Sequence, residues 1–170
     1  MALTLNDALA DPAAAADQLL QSPELYGVIA ALGHHGAAGS AVFELTMRPI
    51  PALERAGYPI ERVRVVVLPD GTTYAYALDG RDRLFKHRNP LPQRDLCLQY
   101  RRDDAALRWL QEDGFEALVT LVHRHLMFEE AWRRHGEWPC EDAPHGDISG
   151  DPHPVWTQEM RQEQLRWARQ

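Results

Sequence analysis

The order of hydrophobic and polar residues divides the chain into a helical first third, a strand-rich middle and a second helical part. In the first third, apolar residues recur at the spacing of one helix face. This stripe consists of Leu25, Val28, Ile29 and Leu32. Asp11–Pro12 and Ser22–Pro23 are typical helix starts, with proline at the first helical position. We therefore predict helices that begin at these two sites, the second ending at Gly33, and a loop at 34–40.

Between residues 41 and 79 the pattern changes to that of strands. Segments of alternating or β-branched residues are typical of strands. They span 41–47, 62–68 and 72–78. The turn Pro69-Asp70-Gly71 joins the last two segments as antiparallel neighbours, and residues 49–61 form a long connection. The middle of the chain thus predicts an antiparallel β-meander of about four strands.

A long amphipathic helix is predicted from about Glu112 to about His135. Its apolar face consists of Phe115, Leu118, Val119, Val122 and Leu126. Acidic residues at its start and basic residues at its end suit the helix dipole, and Gly136 ends it. Together these elements predict an α+β fold, in which an N-terminal helix and the long helix pack on one side of the sheet.

The length of 170 residues suits one domain with one hydrophobic core. We predict a single domain over residues 1–170, with its core at about 22–136 and a C-terminal extension at 137–170. Prolines and glycines predict a loop at 137–154, and a short helix follows at about 157–168.

Charge and cysteine content narrow the class of protein. The net charge of −7 and the pI near 5.6 argue against nucleic acid as a partner, because phosphate binding needs clustered basic residues. No apolar run approaches the roughly 20 residues of a membrane span, and the first residues lack the pattern of a signal peptide. We therefore expect a cytoplasmic protein with no membrane partner, in which Cys97 and Cys140 are free thiols.

One of these cysteines follows a recognisable motif. His87-Arg88-Asn89 precedes Cys97, with His87 ten and Asn89 eight residues before it, and leucines flank the cysteine. This resembles the active-site signature of ubiquitin-conjugating enzymes, in which His-Pro-Asn precedes a nucleophilic cysteine. The order of elements is similar too, with a tryptophan, here Trp109, between the cysteine and the long helix. The resemblance covers roughly residues 41–135.

Residues 128–146 are similar to a bacterial branch of that family, found in antiphage defence operons. The resemblance implies a transferase that accepts a ubiquitin-like protein as a thioester on Cys97 from an adenylating activating enzyme and passes it to a target amine. It implies both of these partners and a deubiquitinase-like peptidase from the same operon. It implies no cofactor or metal for this chain, because the activating enzyme consumes the ATP, and it makes 137–170 a family-specific extension.

The sequence departs from the family pattern at three places. Arg88 replaces the proline of the motif, and the interval of twelve residues from Cys97 to Trp109 is longer than usual. Pro69-Asp70-Gly71 replaces a longer loop, which argues against the contacts made with a ligase of the eukaryotic type.

The chemistry explains why these residue types are needed together. A carrier must hold an acyl group and then release it to an amine, so the nucleophile is a thiol, whose free pKa is about 8.5. Both transfers pass through a tetrahedral oxyanion. Asn89 can donate a hydrogen bond to that oxyanion, typically worth about 3 kcal/mol, or order the loop that does. By resemblance, His87 braces the loop by hydrogen bonding.

Other interpretations compete with this one. A catalytically silent binding module of the same fold is one, although such variants lack the cysteine. A Cys/His hydrolase that pairs Cys97 with one of the eight histidines is another. A metal could be bound by Cys140 with His145, or by His123 and His125, but residues at i and i+2 of a helix point in different directions. We expect these two histidines on the helix surface and no metal site.

Three further residues have open roles. Cys140 is expected to be a bystander thiol. His145 is expected in a structural turn, with assistance to amine deprotonation as the alternative. Lys86 is the only lysine of the chain, eleven residues before Cys97, and would be the obvious site of self-modification.

Overall fold

The computed structural model describes residues 2–80, 83–89, 95–99 and 108–140. The strands are β1 Val28–His35, β2 Ala41–Met47, β3 Glu61–Val67 and β4 Thr73–Ala77. The helices are α1 Leu5–Ala10, α2 Pro12–Leu20, α3 Pro23–Tyr26, α4 Pro51–Arg55 and α5 Gly114–His135. The predicted α+β class is confirmed, with N-terminal helices ahead of the strands and one long helix after them.

The four strands form one antiparallel sheet in the order β1-β2-β3-β4. β2 and β3 pair along their whole length, and Phe43 lies opposite Val65. Every second residue of both strands is buried, so one face of the sheet carries the core. The predicted meander and its three sequence-derived strands are confirmed, and each strand differs from its predicted bounds by at most one residue at either end.

Helix α2 begins where its sequence indicates. Asp11 caps it by accepting a hydrogen bond from the Ala14 N–H at 3.0 Å. The preceding helix α1 was not predicted, although its signal is present. Thr4 and Asp7 form a capping box, in which each side chain accepts from the backbone N–H of the other residue.

The predicted helix from Pro23 to Gly33 is wrong beyond Tyr26. Gly27 takes a left-handed conformation, with φ of +69°, and ends the helix. The chain then continues as strand β1. Val28 is fully buried whereas Leu32 is 59% exposed, so the apolar stripe does not lie on one face. Hydrogen bonding to β2 decides the conformation, because this pairing satisfies backbone N–H and C=O groups that the ends of a short helix would leave without partners.

Gly33 lies inside β1 and does not end a helix. A Cβ at this position would lie 1.9 Å from the carbonyl oxygen of Pro12, so α2 packs directly on the strand where the side chain is missing. The predicted loop at 34–40 is correspondingly shorter. His34 and His35 belong to β1, and residues 37–39 form a 3₁₀ turn.

One hydrophobic core joins the helices to the sheet. The rings of Phe43 on β2 and Phe115 on α5 lie 4.4 Å apart between centroids. The predicted apolar face of α5 is buried throughout, and α1 and α2 add six further buried apolar residues with their flanks. These are Leu3, Leu5, Ala8, Ala15, Ala16 and Leu19. The core therefore begins ahead of residue 22, the boundary predicted for it.

Two connections also differ from the sequence-based expectation. The predicted long connection at 49–61 contains helix α4. Helix α5 begins at Gly114, after a 3₁₀ turn over Gln111–Asp113, and not at Glu112. The predicted helix at 157–168 and residues 141–154 of the predicted loop lie outside the described residues. None of the helices described is long and apolar enough to cross a membrane.

We predict that Leu118→Ala destabilises the protein by about 2–5 kcal/mol, because Leu118 is 1% exposed and its truncation leaves a cavity in the core. Chemical denaturation measures the free energy of unfolding. Thr120→Ala, at an exposed position of the same helix, is the control and should change it little. A loss below about 1 kcal/mol in Leu118→Ala would show that this face of α5 is not core.

Candidate functional site

The motif and the cysteine are brought together by backbone pairing. Residues 87–89 and 95–97 run antiparallel, with Arg88 opposite Leu96. The Cys97 N–H donates to the His87 carbonyl oxygen at 2.7 Å, and the Asn89 N–H donates to that of Asp95 at 2.8 Å. Leu96, 3% exposed, donates its N–H to the carbonyl oxygen of Ala75 on β4 at 2.7 Å. The paired segments 87–89 and 95–97 are thereby attached to β4, at the edge of the sheet.

Asn89 is exposed, and its side chain is held by a buried acid. Its Nδ2 donates to Oδ2 of Asp95 at 2.9 Å, and Asp95 is only 7% exposed. A carboxylate accepts from an amide nitrogen and not from an amide oxygen, so Asp95 fixes which way the amide of Asn89 faces. The amide carries a second N–H, which can serve as a donor to a reacting oxygen.

The two thiols differ in their surroundings. Cys97 is half-buried, and its Sγ lies 3.9 Å from the carbonyl oxygen of Gln99. Gln99 in turn accepts from the backbone N–H of Trp109 at 2.8 Å, which ties the segment after the cysteine to the start of α5. Cys140 is exposed and lies beyond the end of α5, outside this pairing. Of the two, the structure brings Cys97 to the motif.

His87 lies in the turn formed by residues 86–89, and its ring is buried among other aromatic rings. It takes a left-handed backbone conformation, with φ of +55°, and is 7% exposed. Its ring centroid lies 4.2 Å from that of Trp138, which also contacts Phe128 and His125 at 5.9 and 5.5 Å. The ring of His87 thus packs against Trp138, and the bracing of the loop by hydrogen bonding that the resemblance implies for His87 stays a prediction.

The expectation that His123 and His125 lie on the helix surface is wrong, since they are 8% and 5% exposed. They point in different directions, as their spacing predicts. His125 faces His87 and Trp138, whereas Nε2 of His123 lies 2.7 Å from the carbonyl oxygen of Arg48. Burial lowers the pKa of His123. Among the residues that the structure describes, no group of three potential metal ligands is assembled.

A buried glutamate of α5 also contacts residues 86–89. Glu129 is 0% exposed, and its Oε1 accepts from the Lys86 backbone N–H and from Arg88 Nε, both at 3.1 Å. Its Oε2 accepts from Arg88 Nη2 at 2.9 Å and lies 3.3 Å from Arg133 Nη1. Burial works to raise the pKa of Glu129, but Arg88, His125 and Arg133 hold it below its ordinary value.

Further ion pairs extend this network along the end of α5. Arg133 Nε donates to Oε2 of Glu130 at 2.8 Å, and Arg134 Nε donates to its Oε1 at 2.7 Å. Arg83 pairs with the buried Glu61 at the start of β3, at 2.6 Å. The segment that leads into the motif is thus attached by charged groups to both α5 and the sheet.

Three residues of this site were missed in the sequence: Glu129, Asp95 and Trp138. The signal for Glu129 was its position, because it continues the apolar stripe of α5 three residues after Leu126. An acid on a buried helix face needs a partner, which Arg88 supplies. No comparable signal marked Asp95 or Trp138. His145, and residues 90–94 between the motif and Asp95, lie outside the described part of the chain.

Comparisons of the chain with protein-family models, with curated proteins and with solved structures found no match. The site is therefore interpreted from its own geometry and from the sequence motif.

Lys86, the obvious site of self-modification in the sequence, has a buried side chain. It is 9% exposed, and its Nζ lies over the ring of Trp138, 5.8 Å from the centroid. The side chain is thus part of the packing under the turn.

We predict that Lys86 is acylated slowly by an amine-reactive ester in the folded protein, because reagent access requires this packing to open. Trp138→Ala should accelerate the reaction by removing the ring over the ammonium group. Mass spectrometry of the peptide that contains Lys86 measures both rates, with denatured protein as the reference. Acylation of folded wild-type protein at the rate of the denatured chain would contradict the burial of this amine.

Proposed function

We propose that the chain is a ubiquitin-conjugating-enzyme-like transferase, which carries a ubiquitin-like protein as a thioester on Cys97. The observation that carries the proposal is the pairing of 87–89 with 95–97. It places the half-buried Cys97 opposite His87, and the exposed Asn89, whose amide is oriented by a buried acid, two residues further along the same pairing. Both residues are thereby held on one pair of short extended segments, which supports a shared role on one acyl group.

The proposed reaction has two steps. In loading, the Cys97 thiolate attacks the thioester carbonyl of the modifier on the activating enzyme. A new C–S bond forms, the old one breaks, and the cysteine of the activating enzyme leaves as a thiolate. In transfer, an acceptor amine attacks the Cys97 thioester, an amide forms, Cys97 leaves as a thiolate, and the extra proton of the amine passes to water. Neither step involves oxidation or reduction.

The neighbouring residues have separate roles in this proposal. The second N–H of Asn89 stabilises the tetrahedral oxyanion, and Asp95 keeps the amide turned for that purpose. The carbonyl oxygen of His87 accepts a hydrogen bond from the Cys97 N–H, and the His87 ring packs against Trp138. The backbone of His87 therefore positions the nucleophile, and its ring anchors the turn.

The proposed partners are a ubiquitin-like modifier, an adenylating activating enzyme and a deubiquitinase-like peptidase, as the resemblance to the bacterial antiphage branch implies. We place the reaction in the cytoplasm, where thiols are kept reduced. Arg88, which replaces the proline of the motif, leaves the requirement for Cys97 and Asn89 untouched.

Cys97→Ser should trap the modifier as an ester that resists reductant, because a serine ester is less reactive toward thiols and amines than a thioester. Wild-type protein should form a conjugate that reductant removes. Electrophoresis with and without reductant, after incubation with activating enzyme, modifier and ATP, distinguishes the two bonds.

Cys140→Ser is the matched control for this experiment, since Cys140 is exposed and lies outside the pairing. It should load like the wild type. Loss of loading in Cys140→Ser, with a conjugate that reductant still removes in Cys97→Ser, would show that the other thiol is the nucleophile. Release of free modifier from Cys97 at a rate independent of added amine would favour the Cys/His hydrolase, and no conjugate at all would favour the binding module.

Asn89→Ala should slow transfer to free lysine by about 10²-fold, the scale of a lost oxyanion donor, while loading continues. Amine attack is the more demanding of the two transfers and depends more on the donor. Asn89→Asp should be at least as slow, because it would place a negative charge beside the developing oxyanion. Single-turnover discharge of purified thioester measures the rate. Wild-type discharge by folded Asn89→Ala protein would remove Asn89 from the mechanism.

A further inference from the structure

We infer that Glu129 is the positioning residue of the candidate site: its buried carboxylate holds the turn 86–89 in the conformation that amine transfer requires. The inference rests on the proposed function. Glu129 touches neither Cys97 nor Asn89 in any contact that the structure gives. It acts through Arg88, whose guanidinium it binds with both oxygens, and through the backbone N–H of Lys86.

The turn needs such a restraint because of its backbone. His87 has φ of +55°, a left-handed conformation that residues with a Cβ adopt rarely. The family signature has proline at the next position, where its ring fixes φ covalently. Arg88 has no such ring. Glu129 takes the place of the ring. It binds the side chain of Arg88, which follows His87, with two hydrogen bonds, and it accepts a third from the backbone N–H of Lys86, which precedes His87.

The residue that Glu129 binds is adjacent in sequence to the two residues that hold the reacting groups. Arg88 lies between His87, whose carbonyl oxygen holds the Cys97 N–H, and Asn89, whose N–H and side chain are held by Asp95. A change in the direction of the Arg88 backbone therefore moves the donor and the nucleophile relative to each other. α5 is a suitable support, because it runs for 22 residues and its apolar face is part of the core.

The charge on Glu129 is essential to this role. The carboxylate faces Arg88 from the turn, and His125 and Arg133 from its own helix, and these groups keep it ionised despite burial. A neutral side chain of the same shape binds a guanidinium more weakly, because the charge-assisted and bidentate character of the contact is lost. Glu129→Gln therefore tests the restraint with little change in volume.

We expect Glu129→Gln to slow discharge of the Cys97 thioester into free lysine by about 10–100-fold, the scale of a displaced reacting group, and to leave loading unchanged. Glu130→Gln is the matched control. Glu130 is the next residue of the helix, is 8% exposed and pairs with arginines, but in the described part of the chain it contacts no residue of 86–89. It should discharge at the wild-type rate.

A double variant distinguishes positioning from a general structural effect. If Glu129 acts by placing Asn89, then Asn89→Ala combined with Glu129→Gln should discharge no more slowly than Asn89→Ala alone. A structural effect would slow the two proteins by the same factor. Wild-type discharge by Glu129→Gln, or multiplication of the two single effects, would overturn the inference. If Glu129→Gln does not fold, Arg88→Gln, which removes the same contact from the side of the turn, replaces it in both measurements.

Two further measurements need no thioester. One is the rate of hydrogen–deuterium exchange at the Lys86 backbone N–H, and the other is the NMR signals of the Asn89 side-chain amide. Both should change in Glu129→Gln and stay unchanged in Glu130→Gln. If the wild type forms no thioester with activating enzyme and modifier, the proposed function fails by itself. In that case unchanged exchange and signals in Glu129→Gln would also overturn the positioning role, and changed ones would support the restraint on the turn.

Discussion

The antiparallel pairing of residues 87–89 with 95–97 is the constraint on which the candidate site depends. It sets the Cys97 thiol beside the motif through the backbone, and the bond from Leu96 to Ala75 makes the pair an extension of the sheet. The two hydrogen bonds of the pairing are made by backbone groups of the residues on either side of Arg88 and not by those of Arg88 itself. The side chain of Arg88 is therefore available for its contact with Glu129.

Two different kinds of packing hold this pair in place. A carboxylate of α5 binds Arg88 and the backbone of Lys86. The ring of Trp138, which follows α5, packs against His87 and the side chain of Lys86. Buried ion pairs add little net stability compared with apolar groups, but an unpaired member is costly, so they favour one geometry over others. In this site the ion pair of Glu129 with Arg88 favours one conformation of the turn, and the packed rings of His87 and Trp138 fill the space beneath it.

Local sequence determined most of the elements, and the reason is that their signals are short-range. The alternation in 41–47 and 62–68 and the Asp70–Gly71 turn define β2, β3 and the turn into β4. The stripe of α5 continues over several turns and marks its buried face without ambiguity. The spacing from Asn89 to Cys97 likewise put both residues in one candidate site, as the resemblance implies, and residues 87–89 and 95–97 are paired in the structure.

Only the tertiary structure decided β1, Asp95 and the support of the turn. Residues 28–33 fit a helix face and a strand equally well, and pairing with β2 selected the strand. Glu129 lies far from Arg88 in sequence, and their contact exists because α5 crosses behind the turn. The prediction that His125 lies on the helix surface is wrong because helical spacing identifies the main apolar face of a helix and not a second contact made by another segment. Hydrophobic periodicity predicts which face of a helix or strand is buried. Which residues that face contacts depends on how the helices and strands pack together.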